Sequence, residues 1–187
     1  MSTTGTKLTL EEFWALPAGD TNLELVDGQA IPKVSPKYFQ SSLQRGIDRL
    51  FSVWCRGKGR IRPEWSVTLL RNGVPWVPVP DLTYVSYERL PKNWKRNEAC
   101  PVPCDLAIEI ISPGQILKEF EEKAADYFAA GVLRVWVIDP DKMSIRVFFP
   151  DPDNEVKFYI GDMVIVDTLL PGLELTPQSI FEEAELV

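Results

Sequence analysis

The chain predicts an α/β domain around a mixed sheet, and three observations carry that reading. Two nearly continuous aliphatic runs, Asp105–Ile111 and Leu133–Asp139, have the composition of strands buried on both faces. Between them, residues 115–130 repeat apolar side chains at helical spacing. A second helical pattern over 39–55 precedes three β-rich segments, so the core order is helix, three strands, helix, strand.

The elements follow in order. Thr9 to Trp14 reads as a short helix capped by Thr9, with Glu12 three residues on completing a capping box. Leu23 to Ile31 reads as a hairpin turning at Asp27-Gly28. After Pro36, the spacing of Phe39, Leu43, Ile47, Leu50/Phe51 and Trp54 is that of a helix stripe, closed by Gly57. Arg60 to Leu70 alternates like one strand, followed by a turn at Arg71-Asn72-Gly73. Pro80 to Val85 is a further β-rich run, and Leu90 to Pro103 is a loop rich in Pro, Lys and Arg. Gly131 ends the 115–130 helix. Two or three strands are expected in 143–166, then a Pro-broken tail.

With 187 residues, 45% of them hydrophobic and 25% charged, the chain is expected to form a single domain over 1–187 with its core at about 9–175. A domain of this size buries roughly 70% of its unfolded surface and needs no staples. No run is long and apolar enough for a membrane span, and Met1 to Lys7 has no apolar signal core. Three cysteines, Cys55, Cys100 and Cys104, are too few for a disulfide scaffold, so a cytoplasmic setting is expected. Histidine is absent, which excludes a Ser-His-Asp triad, a Cys-His pair and any histidine-ligated metal. Cys100-Pro-Val-Pro-Cys104 offers at most half a zinc site. Catalysis would rest on carboxylates, lysine, tyrosine or an oxygen-ligated ion, Mg²⁺ or Mn²⁺.

The net charge is −7 but unevenly spread. Lys37 to Arg96 holds twelve Lys/Arg against four acids, while the remainder is acidic. A basic middle fits either a phosphate-facing surface or a solvated mixed-charge face.

Glu109 is the least expected residue, an acid inside an aliphatic strand, where an ionised carboxylate is costly unless paired or bound to a cation. Asp81 opens the preceding strand and lies beside Glu109 if the two strands pair. Two converging carboxylates make a divalent-cation site; alternatively Asp81 is a strand-start acid and Glu109 half of a buried salt bridge. Lys123 borders the apolar stripe Ile116, Phe120, Ala124, Tyr127, Phe128, whence it can lean towards the Glu109 strand or pair with Glu119. Lys118 falls on the solvated side.

Pro80-Asp81, Glu109 and Lys123 in this order of elements resemble the PD-(D/E)XK restriction-endonuclease-like superfamily, and within it a bacterial family of restriction endonuclease domains of otherwise unknown function. The matching runs are Leu23–Gly28, Pro80–Val85, Asp105–Pro113 and Lys123–Pro140. The resemblance implies a restriction-endonuclease-like core with an added N-terminal hairpin and C-terminal strands. It implies a metal held by Asp81 and Glu109, with Glu24 as a further acidic member; the alternative for Glu24 is a solvent-facing hairpin acid. The superfamily's lysine position, two after Glu109, holds Ile111, and in this family the lysine moves to the following helix, here Lys123. The family's frequent histidine near Lys37–Gln40 is missing too.

The expected function is metal-dependent cleavage of phosphodiester bonds in DNA, with Lys123 orienting the attacking water or neutralising developing charge. The alternative is a catalytically silent nucleic-acid-binding or oligomeric assembly module. A homodimer is expected, since duplex cleavage needs two sites, with the strands at 133–138 and 143–149 near its interface.

Overall fold

A computed structural model describes residues 7–17, 19, 21–150 and 155–187. Helix α1 (Leu10–Trp14) starts at the expected capping box: the Thr9 hydroxyl accepts the Glu12 N–H at 3.2 Å and the Glu12 carboxylate accepts the Thr9 N–H at 2.8 Å. Strands β1 (Leu23–Val26) and β2 (Gln29–Pro32) form the expected hairpin. Its turn residues Asp27 and Gly28 both have positive φ, 53° and 81°, the backbone a two-residue hairpin turn requires.

Helix α2 (Tyr38–Trp54) buries Leu43, Ile47 and Phe51. Phe39, expected at the head of that stripe, is half exposed, and Gln40 and Gln44 are buried instead. The stripe is rotated towards these two amides because they have a buried partner, described below. The long strand expected over 60–70 is split. Strand β3 (Gly59–Pro63) stops where Pro63 offers no N–H, and Glu64, at φ 47°, turns the chain away from the sheet. Strands β4 (Leu69–Arg71) and β5 (Val74–Trp76) then make a separate hairpin around Asn72-Gly73.

The central sheet has six strands in the order β10-β9-β8-β7-β6-β3. They are β6 (Leu82–Ser86), β7 (Leu106–Ile110), β8 (Arg134–Asp139), β9 (Ser144–Phe148) and β10 (Val156–Ile160), with β3 on the far edge. All neighbours are antiparallel except β7 and β8, whose parallel pairing is reached through helix α3 (Leu117–Ala129). One sheet face carries Tyr84, Ile108, Ile110, Trp136 and Ile138 into a core with α2. The other packs Ala107, Val135 and Val137 against Phe120, Ala124 and Tyr127 of α3. A smaller cluster of Phe13, Leu25 and Val77 seats α1 and the first hairpin.

One further expectation is corrected. The tail is not merely Pro-broken: it forms α4 (Pro177–Glu183), where Pro177 stands in the first turn without loss and Thr176 caps the helix. Ile180 and Phe181 are buried in the α2 core, and Gly46 of α2 lets α4 approach closely, since a Cβ there would lie 3.0 Å from the Ala184 nitrogen. Strands β8 and β9 lie inside the sheet, and β10 forms the edge beside β9, with Val156, Phe158 and Ile160 exposed on one face. Residues 151–154, within the 143–166 stretch, lie outside the described residues, as do Met1 to Thr6. No helix among the described residues is long and apolar enough to cross a membrane.

Phe181→Ala should cost about 3–5 kcal/mol, the usual loss for truncating a buried aromatic residue. Urea denaturation checks this; an unchanged midpoint would mean that the tail is not part of the core.

Candidate active site

Strand register begins the site. Leu82 pairs with Ile108 in the antiparallel β6–β7 ladder, so Asp81, one residue before β6, comes opposite Glu109. Both carboxylates are buried at the same end of the sheet. Asp81 Oδ2 accepts the Ile110 N–H at 2.7 Å, which extends the ladder by a side chain. Asp81 Oδ1 accepts from Gln40 at 2.8 Å, from Gln44 at 3.3 Å and from the Lys33 ammonium at 2.9 Å. The two amides one helical turn apart on α2 thus aim at one oxygen. Gln40 is itself oriented by Ser112, whose hydroxyl donates to its Oε1 at 2.7 Å.

Glu109 is held from α3. The Lys123 ammonium lies 3.0 Å from its Oε1, and the Tyr127 hydroxyl donates to the same oxygen at 2.8 Å. Lys123 and Tyr127, four residues apart, project from one side of the helix. Lys123 also lies 3.7 Å from Glu24, so its partners are Glu109 and Glu24 rather than Glu119. Lys118 faces solvent and pairs with Glu122. Glu24 reaches the site because the first hairpin docks by its backbone: Leu25 and Val77 exchange N–H···O bonds of 3.1 and 3.0 Å, and Glu24 Oε1 accepts the Val79 N–H at 2.7 Å.

The structure therefore brings Asp81, Glu109, Lys123 and Glu24 to one cavity of about 190 Å³, which Lys33 and Gln40 also line, and sets Gln44 and Tyr127 behind the two buried carboxylates; sequence reasoning missed these last four. The glutamines left a signal, two amides continuing the stripe of Leu43 and Ile47. Lys33 left none, because its reach depends on where the hairpin docks. Ile111 packs partly buried against the α3-side core.

Electrostatics follow from burial. Burial pushes the Glu109 carboxyl above the usual carboxylate range in spite of the ammonium beside it. Burial alone would pull the Lys123 ammonium down, but Glu109 and Glu24 outweigh it and hold the lysine charged. Burial and the adjacent Glu109 charge raise the Tyr127 hydroxyl, so it stays a neutral donor.

The donor set fits a hard cation. Among the described residues, Glu109 Oε2 and Glu24 Oε2 accept no hydrogen bond, leaving carboxylate oxygens for a ligand. Glu24, Asp81, Glu109 and Glu119 line the cavity with Lys33 and Lys123, an excess of two negative charges, which one divalent ion would balance. No group of three or more His, Cys, Asp or Glu residues among those described is arranged as a metal cage. Magnesium commonly takes only one or two carboxylates and keeps its waters.

The basic middle of the sequence is not one continuous surface. Arg49, Arg71, Arg89 and Arg96 each have a carboxylate within 4 Å, while Arg60 bonds to the backbone of the 90–94 loop.

Comparison with known proteins agrees with this architecture. A protein-family model described as "Putative restriction endonuclease" (Uma2) matches residues 10–178. The fold is similar to a crystal structure described as "a putative nuclease belonging to DUF820" from Anabaena variabilis, at 23% identity and a TM-score of 0.81, covering 95% of this chain and 99% of that one. No curated protein matches.

Tyr127→Phe should cost about 1.5–3 kcal/mol at neutral pH, the range for a hydrogen bond to a charged group. The bond favours ionised Glu109, so the loss should be largest above the raised Glu109 pKa and fade as pH falls through it. Urea denaturation at neutral and acid pH measures both.

Proposed function

The chain belongs to this restriction endonuclease family, and we propose that it hydrolyses phosphodiester bonds of DNA with Mg²⁺ or Mn²⁺ held by Asp81 and Glu109. The observation that carries the reading is the acid pair on facing strands with the Lys123 ammonium 3.0 Å from Glu109. When bound, such an ion polarises the scissile phosphate and acidifies a water. Lys123 would orient that water or neutralise charge developing on the phosphate, from a helix rather than from position 111. Glu24 would steady the ammonium and complete the outer shell of the site. Gln40 and Gln44 would fix the Asp81 carboxylate, and Tyr127 that of Glu109.

One observation favours a second reading, a silent nucleic-acid-binding module. Asp81 Oδ1 already accepts from Lys33 and two amides, so a metal there must displace Lys33. Each acid also has an ammonium partner, so metal binding would exchange one cation for another rather than simply relieve repulsion.

The exposed face of edge strand β10 supports a homodimer joined there. Three free, buried cysteines support a reducing compartment, the cytoplasm.

With Mn²⁺ or Mg²⁺ the protein should cut DNA, and calorimetry should show Mn²⁺ binding that Asp81→Ala/Glu109→Ala abolishes. Lys123→Ala should keep the Mn²⁺ heat and lose ~10²–10³ in rate, while Lys118→Ala cuts normally. Equal heats in the parent and the double variant would leave only the silent module. In a separate experiment, Phe158→Asp should convert a dimer into a monomer by light scattering; a parent protein that is already monomeric refutes the dimer.

A further inference from the structure

A second cleft opens beside the acid pair, and its chemistry differs from that of the site. It has a volume of about 370 Å³, with Trp65 and Trp94 as its aromatic walls and Arg60, Arg62, Lys95 and Arg96 as its cations. Two acids also line it, Glu64 and Glu98, so it carries an excess of two positive charges. Glu64 turns its carboxylate elsewhere, accepting from Asn22 at 2.7 Å and from Gln44 at 3.3 Å. Glu98 stays exposed, 3.9 Å from Arg96. Arg62 and Lys95 have no carboxylate within 4 Å among the described residues, and both are exposed.

The aromatic walls are fixed in advance. The Arg60 guanidinium lies 5.8 Å from the Trp94 ring and 5.3 Å from the Tyr87 ring, and donates to the Trp94 and Pro91 carbonyls at 2.9 Å each. The Trp65 indole donates to the Glu98 carbonyl at 3.0 Å, and the Thr83 hydroxyl to the Trp65 carbonyl at 2.9 Å. The two rings stand 5.9 Å apart at 42°. The cleft also adjoins the acids. Thr83 is two residues from Asp81, and the Glu64 N–H donates to the Asp81 carbonyl at 3.1 Å.

We propose that this cleft binds unpaired nucleotides of a polynucleotide strand, stacking a base on Trp94 or Trp65 while Arg62, Lys95 and Arg96 hold the neighbouring phosphates. The bases of an intact duplex keep their faces covered by their neighbours, so an aromatic platform rewards only an unstacked base. The cations alone would accept either form. The proposal rests on the nuclease reading only for what becomes of the strand, and it narrows the substrate to single strands, flaps or locally opened duplex.

The test measures binding in EDTA, so that neither metal nor cleavage enters it. Fluorescence anisotropy follows the full chain with a labelled oligodeoxythymidylate, an oligouridylate of equal length and a duplex of equal length. Either single strand should bind at least about fivefold more tightly than the duplex and quench tryptophan fluorescence, and the tighter of the two identifies the sugar. Trp94→Ala should weaken single-strand binding about five- to a hundredfold and leave the duplex nearly unchanged. Lys95→Glu/Arg96→Glu, on the exposed rim, should weaken both forms and flatten their salt dependence. Equal or tighter duplex binding overturns the proposal, as does a Trp94→Ala protein with native circular dichroism and unchanged affinity. If Trp94→Ala fails to fold, the quenching of the parent protein and the charge-reversal variant decide. Asp81→Asn should bind strands like the parent, so loss of cleavage and loss of strand binding are read separately.

Discussion

The constraint on which the molecule depends is the burial of two carboxylates, Asp81 and Glu109, at one end of a sheet apolar on both faces. An ionised acid in that position needs a counter-charge and hydrogen bonds, or the strand that carries it costs several kcal/mol. Four elements outside the β6–β7 pair answer that demand. Helix α3 brings Lys123 and Tyr127 to Glu109, α2 brings Gln40 and Gln44 to Asp81, and the first hairpin brings Lys33 and Glu24. The loop after β7 adds Ser112 behind Gln40. The packing of the hairpin through Leu25 and Val77, marginal for so small a unit, therefore acts on the electrostatics of the site.

What was legible in the sequence was what local physics decides. Asp27-Gly28 needs positive φ at both positions and could hardly be anything but a turn. Strands β7 and β8, buried on both faces, show as nearly continuous aliphatic runs, and Glu109 stands out as the acid inside its run, Asp105 standing at its start. Helical phase put Lys123 at the border of the buried face but left it between the Glu109 strand and Glu119. The misreadings have separate causes, two of them local and one long-range. Alternation carried on past Pro63, and only the left-handed Glu64 shows that the strand ends there. The tail looked broken because of its prolines, although Pro177 sits where a helix tolerates one. Lys33 belongs to a hairpin whose docking no local pattern reports.

The positive charge of the middle segment shows the same limit. Counting charges gives a sum, whereas the fold decides which of them face one another. Arg71 is spent on Asp27 and Asp126, which ties the β4–β5 hairpin to the first hairpin and to α3, and Arg89 is spent on Asp105 just before β7. The cations left beside Trp65 and Trp94 are few, but they lie on the flank of the sheet nearest the acids. Position rather than number gives that surface its character.

With the ammonium on α3, position 111 serves packing alone. A lysine at position 111 would have to thread its chain along the sheet and keep that position polar; Ile111 instead joins the apolar layer beneath α3. The ammonium and the apolar packing are thus carried by different backbone positions, so a substitution at either one tests it without the other.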